Sequence, residues 1–156
     1  MIFERYARGI AGLALSAIAL CAPAAPVLAD SGDEAMQLVE RWVKAFTASD
    51  VDGITQLYAA DATFIGTSSQ AVLATPADIR RYFERALLNN RPRSAMLGEH
   101  VVTEVADGTV VVTGLDTVTS VRNGVPTSAR GRLTFVIAKR GADWRIVHFH
   151  RSALPG

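Results

Sequence analysis

The sequence predicts an α+β domain with its helices segregated on one face of an antiparallel sheet. Two observations carry this. Apolar residues recur at helical spacing before Asn90, and strand-like runs separated by tight-turn signals at Asp107-Gly108, Asn123-Gly124 and Arg140-Gly141 occupy everything after it.

Residues 1–29 read as a cleavable signal peptide and are set apart from the domain. Arg5 and Arg8 form a positive start, Gly9 to Cys21 is apolar, and Val27-Leu28-Ala29 places small residues before the expected cut at Asp30. A membrane anchor needs about 20 apolar residues, and here the run gives way to Ala22-Pro23-Ala24-Ala25-Pro26. A lipoprotein would use Cys21, but Leu20 stands where that site wants a smaller residue. The expected location is therefore periplasmic or secreted.

The domain, residues 30–156, is long enough for one core. Setting aside Glu4, Arg5 and Arg8 leaves 14 basic against 14 acidic side chains, with no basic stripe, so nucleic acid is not an expected partner. Cys21 is the only cysteine, which removes thiol catalysis and cysteine metal sites from the mature part.

In chain order, Ser31 and Glu34 have the spacing of a capping box for a helix running to about Ser49. Val39, Trp42, Val43 and Phe46 form its buried face, with Glu40 at the margin. Asp50 caps a short helix from Val51 to about Tyr58, which Ala59-Ala60-Asp61 ends, and Ala62–Ile65 is a short strand. Thr75-Pro76 opens a helix to about Asn89 that buries Ile79, Phe83, Ala86 and Leu87. Strands then follow at about Ala95–Val105, Thr109–Val121, Val125–Lys139 and Arg145–Ser152, the middle pair joined by the Asn123-Gly124 hairpin.

The last strand carries the sharpest functional clue. Regular pairing about Gly141 sets Val136 opposite Val147, Thr134 opposite Phe149, and Arg132 opposite Arg151. Two facing arginines repel unless an anion lies between them. Regular pairing about Asn123-Gly124 adds Leu115 opposite Arg132 and Thr117 opposite Arg130 on the same face. If the first helix packs there, Glu40 reaches Arg132 or Arg151. Glu40, Arg132 and Arg151 are thus the candidate ligand-binding residues, because a guanidinium holds a carboxylate with two bonds and keeps its proton. A plain helix-to-sheet salt bridge, or arginines reaching to solvent at the rim, is the competing reading. Alternation also puts Trp144 and Ile146 on one face of the strand and Val147 and Phe149 on the other, so a second subunit is expected over one of them and the protein is expected to be a homo-oligomer, at least a dimer.

The run Trp144-Arg145-Ile146-Val147-His148-Phe149-His150-Arg151-Ser152 resembles the closing strand of the association (hub) domain of calcium/calmodulin-dependent protein kinase II, and of standalone bacterial proteins of the SnoaL-like and NTF2-like superfamily. The likeness extends through Arg81-Tyr82-Phe83-Glu84 and Asn123-Gly124-Val125-Pro126, from about Asp33 to Ser152. It implies the NTF2-like cone, a curved sheet folded around helices with a pocket between. It also implies a cavity in which arginines and a glutamate accept small carboxylates. Glu40 and Arg151 match the family's glutamate and closing-strand arginine. Thr134 lies nearer than Arg132 to a second family arginine, Leu115 stands for a third, and Leu87 or Leu88 for an aromatic residue.

Other chemistries find less in the residues. Ketosteroid isomerase and the SnoaL cyclases, in the same superfamily, use an acid–base residue, and Leu57–Phe64 resembles the segment leading to it. Ile65-Gly66-Thr67 stands where the isomerase has its aspartate, Asp61 reads as the cap of a turn, and Asp116, on the sheet face opposite Arg132, is the candidate that remains. His148 and His150 share a strand face, His100 is the only other histidine, and no metal or cofactor is expected. Ser68-Ser69 has no hydrolase pattern around it, and Gly108, Gly124 and Gly141 are turn glycines. The expected function is binding of a small anionic molecule. An isomerase-like enzyme acting on a small apolar substrate and an assembly scaffold without ligand are the alternatives.

Overall fold

Asp30, not Ser31, caps the first helix, α1 (Ser31–Ala48). Its carboxylate accepts the Gly32 amide at 3.3 Å, and its carbonyl accepts the Glu34 amide. An acid one position earlier thus replaces the expected capping box. The computed structural model describes residues 30–89 and 91–155, so the expected signal peptide lies outside the described residues.

The second helix, α2 (Val51–Thr55), starts on the Asp50 carboxylate, which accepts the Gly53 amide at 2.8 Å. It is shorter than expected, because Tyr58 opens a strand rather than ending a helix: β1 spans Tyr58–Ile65. Burial explains the difference. The Tyr58 ring is buried, and its hydroxyl accepts the indole Nε1–H of Trp42 at 2.9 Å. Thr75 caps α3 (Pro76–Leu88), which buries Ile79, Phe83 and Leu87.

Four long strands follow: β2 (Arg93–Ala106), β3 (Thr109–Arg122), β4 (Val125–Arg140) and β5 (Asp143–Ala153). The sheet order is β1-β5-β4-β3-β2, antiparallel throughout except that β1 runs parallel to β5. The helices cover one face of this sheet. Trp42 of α1 stacks on Phe149 of β5 at 5.2 Å and meets Phe135 of β4 edge-on at 5.4 Å. Phe149 in turn stacks on Phe64 of β1 at 5.1 Å, which meets Phe83 of α3. One aromatic cluster therefore ties both long helices to the sheet.

The β3–β4 register is the expected one, with Leu115 opposite Arg132 and Thr117 opposite Arg130. The β4–β5 register is not. Ile137 faces Ile146, but Val136 faces His148, leaving Val147 as the extra residue of a bulge. Beyond it every pair shifts by one: Phe135 faces Phe149, Leu133 faces Arg151, and Arg132 faces Ser152. Trp144, Ile146 and Phe149 all end up buried on the inner side. The two apolar faces expected for β5 are therefore one, because the bulge brings Trp144, Ile146 and Phe149 to the same side.

The outer side of β5 carries His148 and His150 instead. The Thr63 hydroxyl lies 2.8 Å from His148 Nδ1. Partial burial, and then the neighbouring charge of His150, hold the His148 pKa below the ordinary 6.5. As pH drops, the unfolded chain takes up this proton before the folded one does. His148 therefore contributes its stability in full above about pH 6.5 and loses it as pH falls through the lower folded value. The melting temperature of a His148→Gln variant should accordingly change less between about pH 7.5 and pH 5 than that of the parent. Equal changes in the two proteins would remove His148 as a source of acid sensitivity.

Candidate functional site

Beyond the bulge, β5 points Phe149 into the core, and Arg151, two residues on, shares that side. There Arg151 meets Asp116 of β3, with Nε donating to Oδ2 at 2.6 Å. The pair is well sequestered: the Asp116 side chain is 2% exposed and that of Arg151 11%. Room for it comes from Gly131 of β4, which faces Asp116 in the register. A Cβ at Gly131 would lie 2.6 Å from both Arg151 Nη2 and Asp116 Oδ1. Arg151 is further held by Nη1 donating to the Thr67 hydroxyl at 2.7 Å and Nη2 donating to the Ala129 carbonyl at 3.2 Å. All three of its nitrogens are engaged.

Arg93, the first residue of β2, stands in contrast. Its guanidinium carbon sits 4.6 Å from the centre of the Phe46 ring, and its Nε and Nη1 are buried with no hydrogen-bond partner among the described residues. Burial lowers its pKa from the usual arginine value. Tyr82 opposes that shift, and the positive charge of Arg151 adds to it. An arginine nevertheless keeps its proton, so the desolvated charge stays without a counter-charge.

Arg93 and Arg151 both line a cavity of about 490 Å³ between α1, α3 and the sheet. Arg85 of α3 and Arg122 at the end of β3 stand at its exposed edge. Phe46, Ala86 and Val118 supply an apolar wall, and Thr67 and Ser68 supply hydroxyls. Tyr82 of α3 completes the wall by packing over Gly66, where any side chain would collide with its ring. No aspartate or glutamate is among the described residues lining it. A second opening, of about 400 Å³, lies between the ends of β2, β3 and β4. Four of its five hydroxyls are occupied with one another, Ser94 with Thr119 at 2.7 Å and Ser120 with Thr127 at 2.9 Å, and among the described lining residues Arg93 is the one charged group. The chemistry for an anion is concentrated in the larger cavity.

Of the three residues expected from sequence, Arg151 alone is in this site. Arg132 is exposed on the outer face of β4, its Nε donating to the Ser152 hydroxyl at 3.1 Å. The bulge is the reason, since it separates Arg132 and Arg151 onto opposite faces. Glu40 is exposed too, on the side of α1 that carries Gln37, Arg41 and Lys44. The helix turns Val39, Trp42 and Phe46 inward, which rotates Glu40 away from both arginines. Asp61 is likewise exposed and bonded to Arg140 at 3.1 Å, which lowers its pKa. Among the described residues no three histidine, cysteine or acidic side chains gather as a metal site would require.

The sequence reading missed Arg85, Arg93 and Arg122. For the two strand residues the signal was strand alternation: Arg93 precedes buried Ala95 by two, and Arg122 follows Asp116 and Val118 at even spacing.

A family model described as the SnoaL-like domain matches residues 35–155. The fold is that of several solved NTF2-like structures. A proposed calcium/calmodulin-dependent protein kinase II association domain from Xanthomonas campestris is 29% identical, with a TM-score of 0.74 over 85% of this chain and 93% of its own. An NTF2-like superfamily protein from Salmonella enterica is 22% identical, with a TM-score of 0.72 over 81% of this chain and 92% of its own. A proposed aromatic ring hydroxylase from Novosphingobium aromaticivorans is 19% identical, with a TM-score of 0.70 over 79% and 88%. No curated protein matches.

The Arg151–Asp116 pair yields a stability prediction. Removing one partner strands the other's charge in a dry place, so Asp116→Leu or Arg151→Leu alone should cost about 3–5 kcal/mol in urea unfolding. The double variant should cost much less than the sum of the two. Simple additivity would show that the two side chains are not coupled.

Proposed function

Because this chain belongs to the SnoaL-like domain family, whose NTF2-like cone encloses a cavity beneath the sheet, we propose that it binds a small anionic molecule there, with Arg93 as the primary anchor. One observation carries the reading: a half-buried guanidinium, without a counter-charge among the described residues, stands in a cavity lined by further arginines and by no described acidic side chain. An incoming carboxylate gives Arg93 a charge-assisted partner, and the partly dry surroundings strengthen that bond. Arg151 contributes positive potential from behind. Its own donors already serve Asp116, Thr67 and Ala129.

The acid–base alternative has less to work with. The side chains lining the cavity are arginine, hydroxyl and apolar groups, with Tyr82 as the one phenol. Asp116 is committed to Arg151 through Oδ2, and its other oxygen is buried without a partner. A proton acceptor active near neutral pH is not among the described lining residues.

An unpaired buried charge costs stability, and binding repays that cost. Arg93→Met keeps an unbranched apolar side chain at this position and removes the charge that lies over Phe46. The ligand-free variant should melt a few degrees higher than the parent, the size of a gain of ~1 kcal/mol in a domain of this length. It should also lose the upward shift that small carboxylates give the parent, a shift that reaches about 2.7 kcal/mol at 100 times the dissociation constant. Thermal melts with and without carboxylates check both parts. A variant that melts lower and still responds would place the anion elsewhere.

A further inference from the structure

The cavity's charges differ in depth, and that difference speaks to the kind of anion. Arg93 is half-buried, whereas Arg85 and Arg122 are exposed at the mouth, one on α3 and the other at the end of β3. Among the described residues, Arg151 alone of the four arginines has a carboxylate partner. Three cationic groups therefore share one opening with no acidic side chain among the described residues that line it. A single carboxylate at Arg93 leaves the two outer charges uncompensated. The same cavity has an apolar wall of Phe46, Ala86 and Val118, which offers nothing to a polar group and suits a short hydrocarbon segment.

We propose that the ligand carries two anionic groups joined by a short apolar segment, the inner group on Arg93 and the outer one between Arg85 and Arg122. This rests on the anion-binding reading above and narrows it to a class, of which linear dicarboxylates are the simplest members. The inner contact supplies most of the affinity, because the Arg93 charge is half-buried and the outer two are exposed. The outer contact adds selectivity and is weakened by salt, because its arginines are solvated.

Calorimetric titration of the purified protein with four- to seven-carbon α,ω-dicarboxylates, each against the straight-chain monocarboxylate of equal length, tests the proposal. The best dicarboxylate should bind about tenfold more tightly than its match at low ionic strength, the joint effect of two exposed ion pairs. That advantage should shrink with added salt and disappear in the Arg85→Gln/Arg122→Gln variant. Monocarboxylates that bind through Arg93 as tightly as their dicarboxylate matches would overturn the dianion class and leave the anion cavity standing. A dicarboxylate advantage that survives the double variant would overturn the assignment of the outer site. Failure of both series to bind, or binding unaffected by Arg93→Met, would overturn this proposal together with the reading beneath it.

Discussion

One extra residue in β5 decides what the cavity contains. With Val147 bulged out of the β4–β5 ladder, the strand keeps Trp144 and Ile146 inward and then turns Phe149 and Arg151 inward as well. A regular strand would put Phe149 and Arg151 on the face opposite Trp144 and Ile146. The bulge joins two requirements that simple alternation keeps apart. Phe149 completes the aromatic cluster that fastens α1 and α3 to the sheet, and Arg151 is carried into the space beneath.

From that point the site follows from charge and solvation. A guanidinium turned inward must be paired, and Asp116 pairs it across the gap left by Gly131. Arg151 is thereby a structural cation, with a hydrogen bond donated from each of its three nitrogens. The same reasoning applied to Arg93 finds no charged partner among the described residues, only the face of Phe46, and a cation over a ring is stabilised far less than one against a carboxylate. Two arginines near one another thus have different roles. The spent one shapes the field, and the unspent one is the place for a ligand.

Most of the fold was legible from sequence because its signals are local. Helical spacing marked α1 and α3, Asn123-Gly124 set the β3–β4 register, and each long strand was bracketed by turns. The site was far less legible, and the reason lies in one step of the chain. Continuous alternation through β5 placed Arg132 opposite Arg151, and the slip at Val147 parted them. The clue was present in the spacing of Trp144, Ile146 and Phe149, which is out of step with a period of two, as a bulge requires. Arg85 was harder to find, since α3 meets Phe46 and the start of β2 at this cavity only through tertiary packing. Glu40 followed from assuming that the first helix turned its margin toward the arginines, whereas Trp42 fixes its rotation.

The division of labour between the two arginines is the central claim, and an NMR titration following the arginine Nε–Hε resonances tests it most directly. In the ligand-free protein the account predicts a slowly exchanging Arg151 signal, held by Asp116, and an Arg93 signal displaced by the ring of Phe46. Added carboxylate should move Arg93 strongly and leave Arg151 almost in place. A titration in which Arg151 moves and Arg93 does not would contradict the account, because the anion would then be displacing Asp116 rather than filling the empty place beside it.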